Sequence, residues 1–133
     1  MTATAITTAT FAERTARGIV LLDFWAAWCG PCRAFAPVFE RAAARHPDVT
    51  FGKVDTEAEP GLARAFRISA IPTLVVMRDG IVLGQQAGAL SAAALDDLVR
   101  QVQAIDMDAV RAELAAAGAS APASRQAAAA GVR

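Results

Sequence analysis

Hydrophobic and polar positions alternate between several periods along the 133 residues of this chain. Ile19 to Trp25 is almost continuously apolar, broken only by Asp23, which predicts a strand covered on both faces. Before it, Ile6 among threonines predicts a short first strand. Thr8 or Thr10 can cap a short helix through Phe11, Ala12 and Ala16, ended by Gly18. After it, Phe35, Val38, Phe39 and Ala42 fall on one face of a helix reaching about His46. Pro37 lies inside that helix and predicts a kink, because its nitrogen cannot donate to the Arg33 carbonyl. Pro47 stops the helix, and Val49 to Val54 predicts the next strand.

Glu59-Pro60-Gly61 opens a short helix carrying Leu62, Ala65 and Phe66. Thr73 to Met77 and Ile81 to Ala87 predict two strands joined by a tight turn at Asp79-Gly80. Ser91 can cap a helix whose inner face is Leu95, Leu98, Val99 and Val102. Crossovers of the strand–helix–strand kind imply parallel pairing, and the hairpin adds antiparallel strands. The predicted class is α/β, a mixed sheet of about five strands with helices on both faces.

The core should close near Ile105, giving a domain over residues 1–105 and an extension over 106–133. In the extension, Asp106 or Asp108 can cap a short helix with Met107, Val110 and Leu114 on one side, ended by Gly118. Ala119 to Arg133 has no periodicity and reads as disordered.

Composition narrows the function classes. Thirteen basic and thirteen acidic residues cancel, and the basic ones are scattered, so neither nucleic acid nor an anionic membrane is expected as a partner. Met1 to Thr10 lacks the charge and apolar run of a signal peptide, so the chain as written reads as cytoplasmic. In that compartment a lone Cys-x-x-Cys points to redox or metal chemistry rather than to a lasting staple. A zinc site needs about four ligands. The chain has Cys29, Cys32 and one histidine, His46, far along the helix, so no metal is expected.

Thiol–disulfide exchange needs a thiolate to attack and a second thiol to release the mixed disulfide. Cys29 falls at the predicted helix start, where unpaired N–H groups and the helix dipole favour an anion. Cys32 lies one turn in, beneath it and less exposed. Cys29 is therefore expected as nucleophile and Cys32 as resolving thiol. Pro31 stiffens the link between them, and Gly30 lets a partner's backbone approach. Asp23 is a carboxyl inside a doubly covered strand, so its pKa should be raised, and it is positioned to take the Cys32 proton. Lys53, on the next strand, is its expected charge partner. Pro72 stands at the start of a strand, where a cis peptide could set a tight turn.

These residues carry a resemblance. Val20 through Cys32, containing Trp25-Ala26-Ala27-Trp28-Cys29-Gly30-Pro31-Cys32, resembles the active-site signature of the thioredoxin family. Pro37, Phe51 to Asp55, Phe66 to Leu74 with Ile71-Pro72-Thr73, Asp79-Gly80 and Gly88 resemble further family features in the same order. The resemblance covers about Thr4 to Ile105, and Arg33 stands where the family more often has lysine. It implies a thioredoxin fold and a protein-disulfide reductase that maintains cell redox homeostasis. It implies no bound cofactor; a thioredoxin reductase would recharge the pair, drawing on NADPH. It implies a cis Pro72 facing the sulfurs. Client proteins with disulfides would lie in a groove formed by Trp28, Gly30, Pro31, Ile71, Pro72 and Gly88. An oxidant or isomerase usually carries a histidine between its cysteines, where this chain has Gly30-Pro31. The other reading is a binding module or co-chaperone that uses the extension for contact.

Overall fold

In a computed structural model, which describes residues 2–118, the apolar run becomes the middle strand of a five-stranded sheet. The elements are β1 (Thr4–Ala5), α1 (Phe11–Arg14), β2 (Ile19–Trp25), α2 (Gly30–Arg45), β3 (Thr50–Asp55), α3 (Pro60–Ala65), β4 (Thr73–Arg78), β5 (Ile81–Ala87), α4 (Ala92–Gln103) and α5 (Met107–Ala116). Strand order is β1-β3-β2-β4-β5. β1 and β2 run parallel to β3, while β4 is antiparallel to β2 and to β5. The mixed α/β architecture predicted from the hydrophobic pattern is the one observed.

Two-residue alternation along the strands divides the core into two layers. Ile19 and Leu21 of β2, Phe51 of β3 and Leu74 and Val76 of β4 pack with Phe35 and Phe39 of α2 and Leu95, Val99 and Val102 of α4. Their intervening neighbours, Val20, Leu22, Phe24, Val54, Val75 and Met77, pack on the other side with Ile6, Leu62 and Phe66. Every β2 residue from Ile19 to Phe24 is buried, which explains the missing polar alternation in that run. Asp23 is an odd position of β2 and so belongs to the layer that α2 covers.

The first strand is shorter and earlier than the Ile6-centred expectation. Ile6 itself is buried under the sheet, and its N–H still donates to the Lys53 carbonyl at 2.9 Å. Gly52 makes this possible, because a Cβ there would lie 2.6 Å from Ile6 Cγ1. Thr10 occupies the N-cap position of α1, but its hydroxyl makes no cap bond; it accepts from the Thr7 N–H at 3.0 Å instead. α1 is correspondingly a single turn. Pro37 lies inside α2, which continues past it to Arg45. At that end His46 and Arg45 both meet Asp96 of α4, at 2.7 and 2.9 Å, which clasps the two helices.

Ser91 and Asp106 cap α4 and α5 as their positions predict, accepting from the Ala94 N–H and from the Asp108 and Ala109 N–H groups. α5 ends at Ala116, and Gly118 follows with φ +103°. Met107 is buried. The Arg78 guanidinium donates to the Val102 and Ile105 carbonyls at 2.7 and 3.3 Å, and Arg111 of α5 meets Asp79 at 3.6 Å. The disorder expected over Ala119 to Arg133 lies outside the described residues.

Candidate active site

Strand register gathers the predicted site residues at one end of the sheet. β2 and β3 run in parallel toward it and finish at Trp25 and Asp55, which are register partners. β4 starts there: Thr73 pairs with Phe24 on one side and with Ala87 of β5 on the other. Ile71-Pro72 and Gly88 are therefore delivered to the loop between β2 and α2, and that loop holds the cysteines. A position outside the carboxyl ends of parallel strands is where sheets of this kind bind ligands.

The loop folds tightly because its backbone turns on itself. The Cys29 N–H donates to the Ala26 carbonyl at 3.2 Å, and the Arg33 N–H donates to the Cys29 carbonyl at 3.1 Å. Cys29 is the N-cap of α2, with Gly30 and Pro31 as the first helical residues. Proline fits there because the first helical N–H groups have no partner within the helix. Cys29 and Cys32 are joined in a disulfide, with Cα atoms 5.2 Å apart. Cys29 Sγ accepts the Cys32 N–H at 3.1 Å. A sulfur in that position receives a main-chain hydrogen bond and the positive end of a sixteen-residue helix, and both favour a thiolate once the pair is reduced.

Cys32 is the less exposed of the pair, at 2% against 4%, but in the disulfide form Cys29 is buried too, so the first sulfur is hardly more open than the second. Ala26, Trp25 and Ile71 pack around the pair. Cys29 Sγ lies 3.7 Å from the Ile71 carbonyl oxygen, so the Ile71-Pro72 segment covers it from across the site. The Ile71-Pro72 peptide is cis. The Gly88 N–H donates to the Pro72 carbonyl at 2.8 Å, and Gly88 has φ +101°, a conformation suited to glycine. Trp28 is the exposed large hydrophobic residue of the described chain, at 67%, and its indole N–H donates to Glu57 at 3.3 Å. Trp28, Gly30, Pro31 and Gly88 are exposed, Ile71 is half-buried against the disulfide, and Pro72 is buried.

Asp23 is 1% exposed, and neither carboxyl oxygen has a hydrogen-bond partner. Burial pushes its pKa up to about 6, with the Lys53 charge pulling more weakly the other way. Lys53 is the register partner of Asp23 on β3, yet it forms no ion pair with it. Its ammonium instead sits over the Trp25 ring, 4.6 Å from the centroid. The expected Asp23–Lys53 pair is therefore an electrostatic influence through the sheet rather than a bond. Among the described residues, no group of three or more His, Cys, Asp or Glu side chains could hold a metal ion. None of the described helices is long and apolar enough to cross a membrane.

One feature of the loop is invisible in the sequence pattern. Arg33 Nη1 donates to the Ala27 carbonyl at 2.9 Å, so the first turn of α2 reaches back to the residues before Cys29. Its position as an exposed arginine in a helix gave no sign of this.

Comparison with known proteins agrees with this geometry. The family model described as Thioredoxin matches residues 2–101. A protein assigned as thioredoxin 2 in Streptomyces coelicolor is 58% identical over 92 residues, covering 69% of this chain and 69% of that protein. The thioredoxin of Chlamydia trachomatis is 45% identical, covering 59% of this chain and 76% of that one. A chain from a structural study of thiol resolving in yeast mitochondrial 1-Cys peroxiredoxin via glutathione/thioredoxin systems superposes with a TM-score of 0.67 at 30% identity. That match covers 74% of this chain and 94% of the other. A redox-active Cys29–Cys32 pair within such a match is a thiol–disulfide oxidoreductase centre. By sequence match, fold and site alike, the chain belongs to the thioredoxin family.

Proposed function

We propose that the chain reduces disulfides in client proteins, with Cys29 as nucleophile, Cys32 as resolving thiol and Asp23 as the proton acceptor. The observation that carries this reading is the placement of Cys29 Sγ as the N-cap of α2, accepting the Cys32 N–H. The Cys29 thiolate attacks one sulfur of the client disulfide. A mixed disulfide forms, and the other client sulfur leaves as a thiolate and takes a proton. The Cys32 thiol then gives its proton to Asp23 and attacks Cys29 Sγ. The Cys29–Cys32 bond closes, and the second client sulfur leaves and is protonated. The client gains two electrons and two protons; the pair supplies both electrons, the Cys32 proton by way of Asp23, and the proton that Cys29 shed to solvent on ionising.

The buried, unpartnered Asp23 carboxyl supports its assigned role, because a pKa near 6 lets it accept and return a proton close to neutral pH. Lys53 limits that upward shift from the neighbouring strand. The client backbone lies along Trp28, Gly30, Pro31, Ile71, Pro72 and Gly88. A thioredoxin reductase drawing on NADPH restores the dithiol, and the chain works in the cytoplasm. Residues 1–105 form the redox domain, and 106–133 are an appendage to it.

The test is the rate at which the chain reduces a protein disulfide with dithiothreitol as electron source. Wild type is expected to accelerate the reaction and Cys29→Ser to leave it at the background rate. Equal rates for the two would refute the reductase reading.

A further inference from the structure

We propose that Gln85 is a positioning residue for client reduction: its side-chain amide, on β5, holds the start of the loop that carries Ile71-Pro72 over the disulfide. Gln85 is the register partner of Val75 on β4, and Val75 belongs to the core layer that contains Phe66. Directly opposed residues share a face of the sheet, so Gln85 faces that layer too. Its Nε2 donates to the Phe66 carbonyl at 3.0 Å. Phe66 closes α3 as its C-cap, where carbonyls lack partners within the helix. Its ring is fixed in the core, with the Phe11 and Phe24 rings at 5.7 and 5.4 Å. The loop to the active site therefore starts from a point that Gln85 ties to the sheet.

The loop between Phe66 and Pro72 needs such a tie. Arg67 has φ +52°, a left-handed conformation that is unfavourable for a residue with a side chain. The Arg67 and Ile68 N–H groups donate back to the Arg64 and Ala63 carbonyls at 3.0 and 2.9 Å, which binds the loop to α3 but not to the sheet. At the far end the Thr73 hydroxyl donates to the Ala70 carbonyl, and the Gly88 N–H donates to the Pro72 carbonyl at 2.8 Å. Gln85 and Gly88 thus grip the loop at its two ends, one through a side chain and one through the main chain. Between them Ile71 brings its carbonyl oxygen to 3.7 Å from Cys29 Sγ. The other arm of the Gln85 amide gives a second, independent observation. Its Oε1 is buried and has no hydrogen-bond partner. An unpaired buried acceptor costs stability, so packing alone would be served as well by an apolar side chain of the same length. What the amide adds is the bond to Phe66.

The inference rests on the reductase reading, and two readouts keep the two apart. The full chain is compared with Gln85→Met, which keeps the length of the side chain and removes the amide. In the oxidised proteins the Arg67 and Ile68 amide hydrogens should exchange with solvent about tenfold faster in the variant, while that of Leu22 in β2 is unchanged. With dithiothreitol as electron source and a protein disulfide as substrate, KM should rise about threefold and kcat should stay within about twofold. A loosened loop holds the client backbone less well but leaves the sulfur chemistry of Cys29 and Cys32 intact. Unchanged exchange at Arg67 and Ile68 overturns the proposal, as does faster exchange that extends equally to Leu22, which would mark a general loss of stability. An unchanged KM overturns it as well. A chain that reduces no protein disulfide would sink the reductase reading, and the exchange at Arg67 and Ile68 would then decide whether Gln85 holds the loop.

Discussion

Asp23 carries a measurable cost at the scale of a single residue. Burial raises its pKa from 3.8 to about 6, so the folded chain holds this proton more tightly than the unfolded chain does. The associated stability is complete below the unfolded value and is lost as pH rises through the folded one. At pH 7 the ionised carboxylate therefore costs about 3 kcal/mol. Asp23→Asn should stabilise the oxidised protein by about 2 to 3 kcal/mol at pH 7 and by almost nothing at pH 4. Urea denaturation at the two pH values measures it, and an equal gain at both would contradict the raised pKa. Much at this scale was legible in sequence: a carboxyl inside a doubly covered strand, and a cysteine at a helix start. The position of Lys53 was not. Its place on the next strand suggested a pair with Asp23, but side-chain direction depends on the Trp25 ring beside it, and only the folded sheet shows that. The near-equal burial of the two cysteines was hidden for the same reason, since Ile71 covers Cys29 from 42 residues away.

Elements were easiest to read where one periodicity ran long. The continuous β2 run, the helical face of α2 and the Asp79-Gly80 turn all appeared where the pattern placed them. The weakest reading was the amino-terminal stretch, where β1 has two residues and α1 four, too few for any period to show. α5 was visible as a capped amphipathic segment, but its seat was not. Arg78 holds the carbonyls that end α4, Arg111 reaches Asp79, and Met107 is buried. Arg78 pairs with Ile19, the first residue of β2, whereas the cysteines follow its last. The seat of α5 is thus at the opposite end of the sheet from the disulfide. Removal of residues 106–133 is accordingly expected to leave disulfide reduction within about twofold of the full chain, because α5, in the described part of that segment, is seated away from the disulfide. Turnover of the truncated and full chains under identical conditions measures it. A collapse of turnover in a truncated chain that remains folded by circular dichroism would give the extension a part in catalysis.

The whole molecule is a sheet with its chemistry at one edge of the strand ends. Strand order β1-β3-β2-β4-β5 was not legible in the hydrophobic pattern, which marks which faces are covered but not which strands are neighbours. That order matters to the site. It places β3, with Lys53, on one side of β2 and β4, with the Pro72 loop, on the other. Two separate stretches, the loop after β2 and the Ile71-Pro72 segment, therefore meet at one pair of sulfurs. The proposed mechanism gives unequal duties to two cysteines three positions apart, and trapping the mixed disulfide tests this most directly. A client protein with an accessible disulfide is incubated with each reduced single-cysteine variant, and the products are weighed intact by mass spectrometry without reductant. Cys32→Ser should accumulate a covalent one-to-one adduct through Cys29, while Cys29→Ser should accumulate almost none. Comparable adducts from both variants, or more from Cys29→Ser, would contradict the assignment of Cys29 as the attacking sulfur.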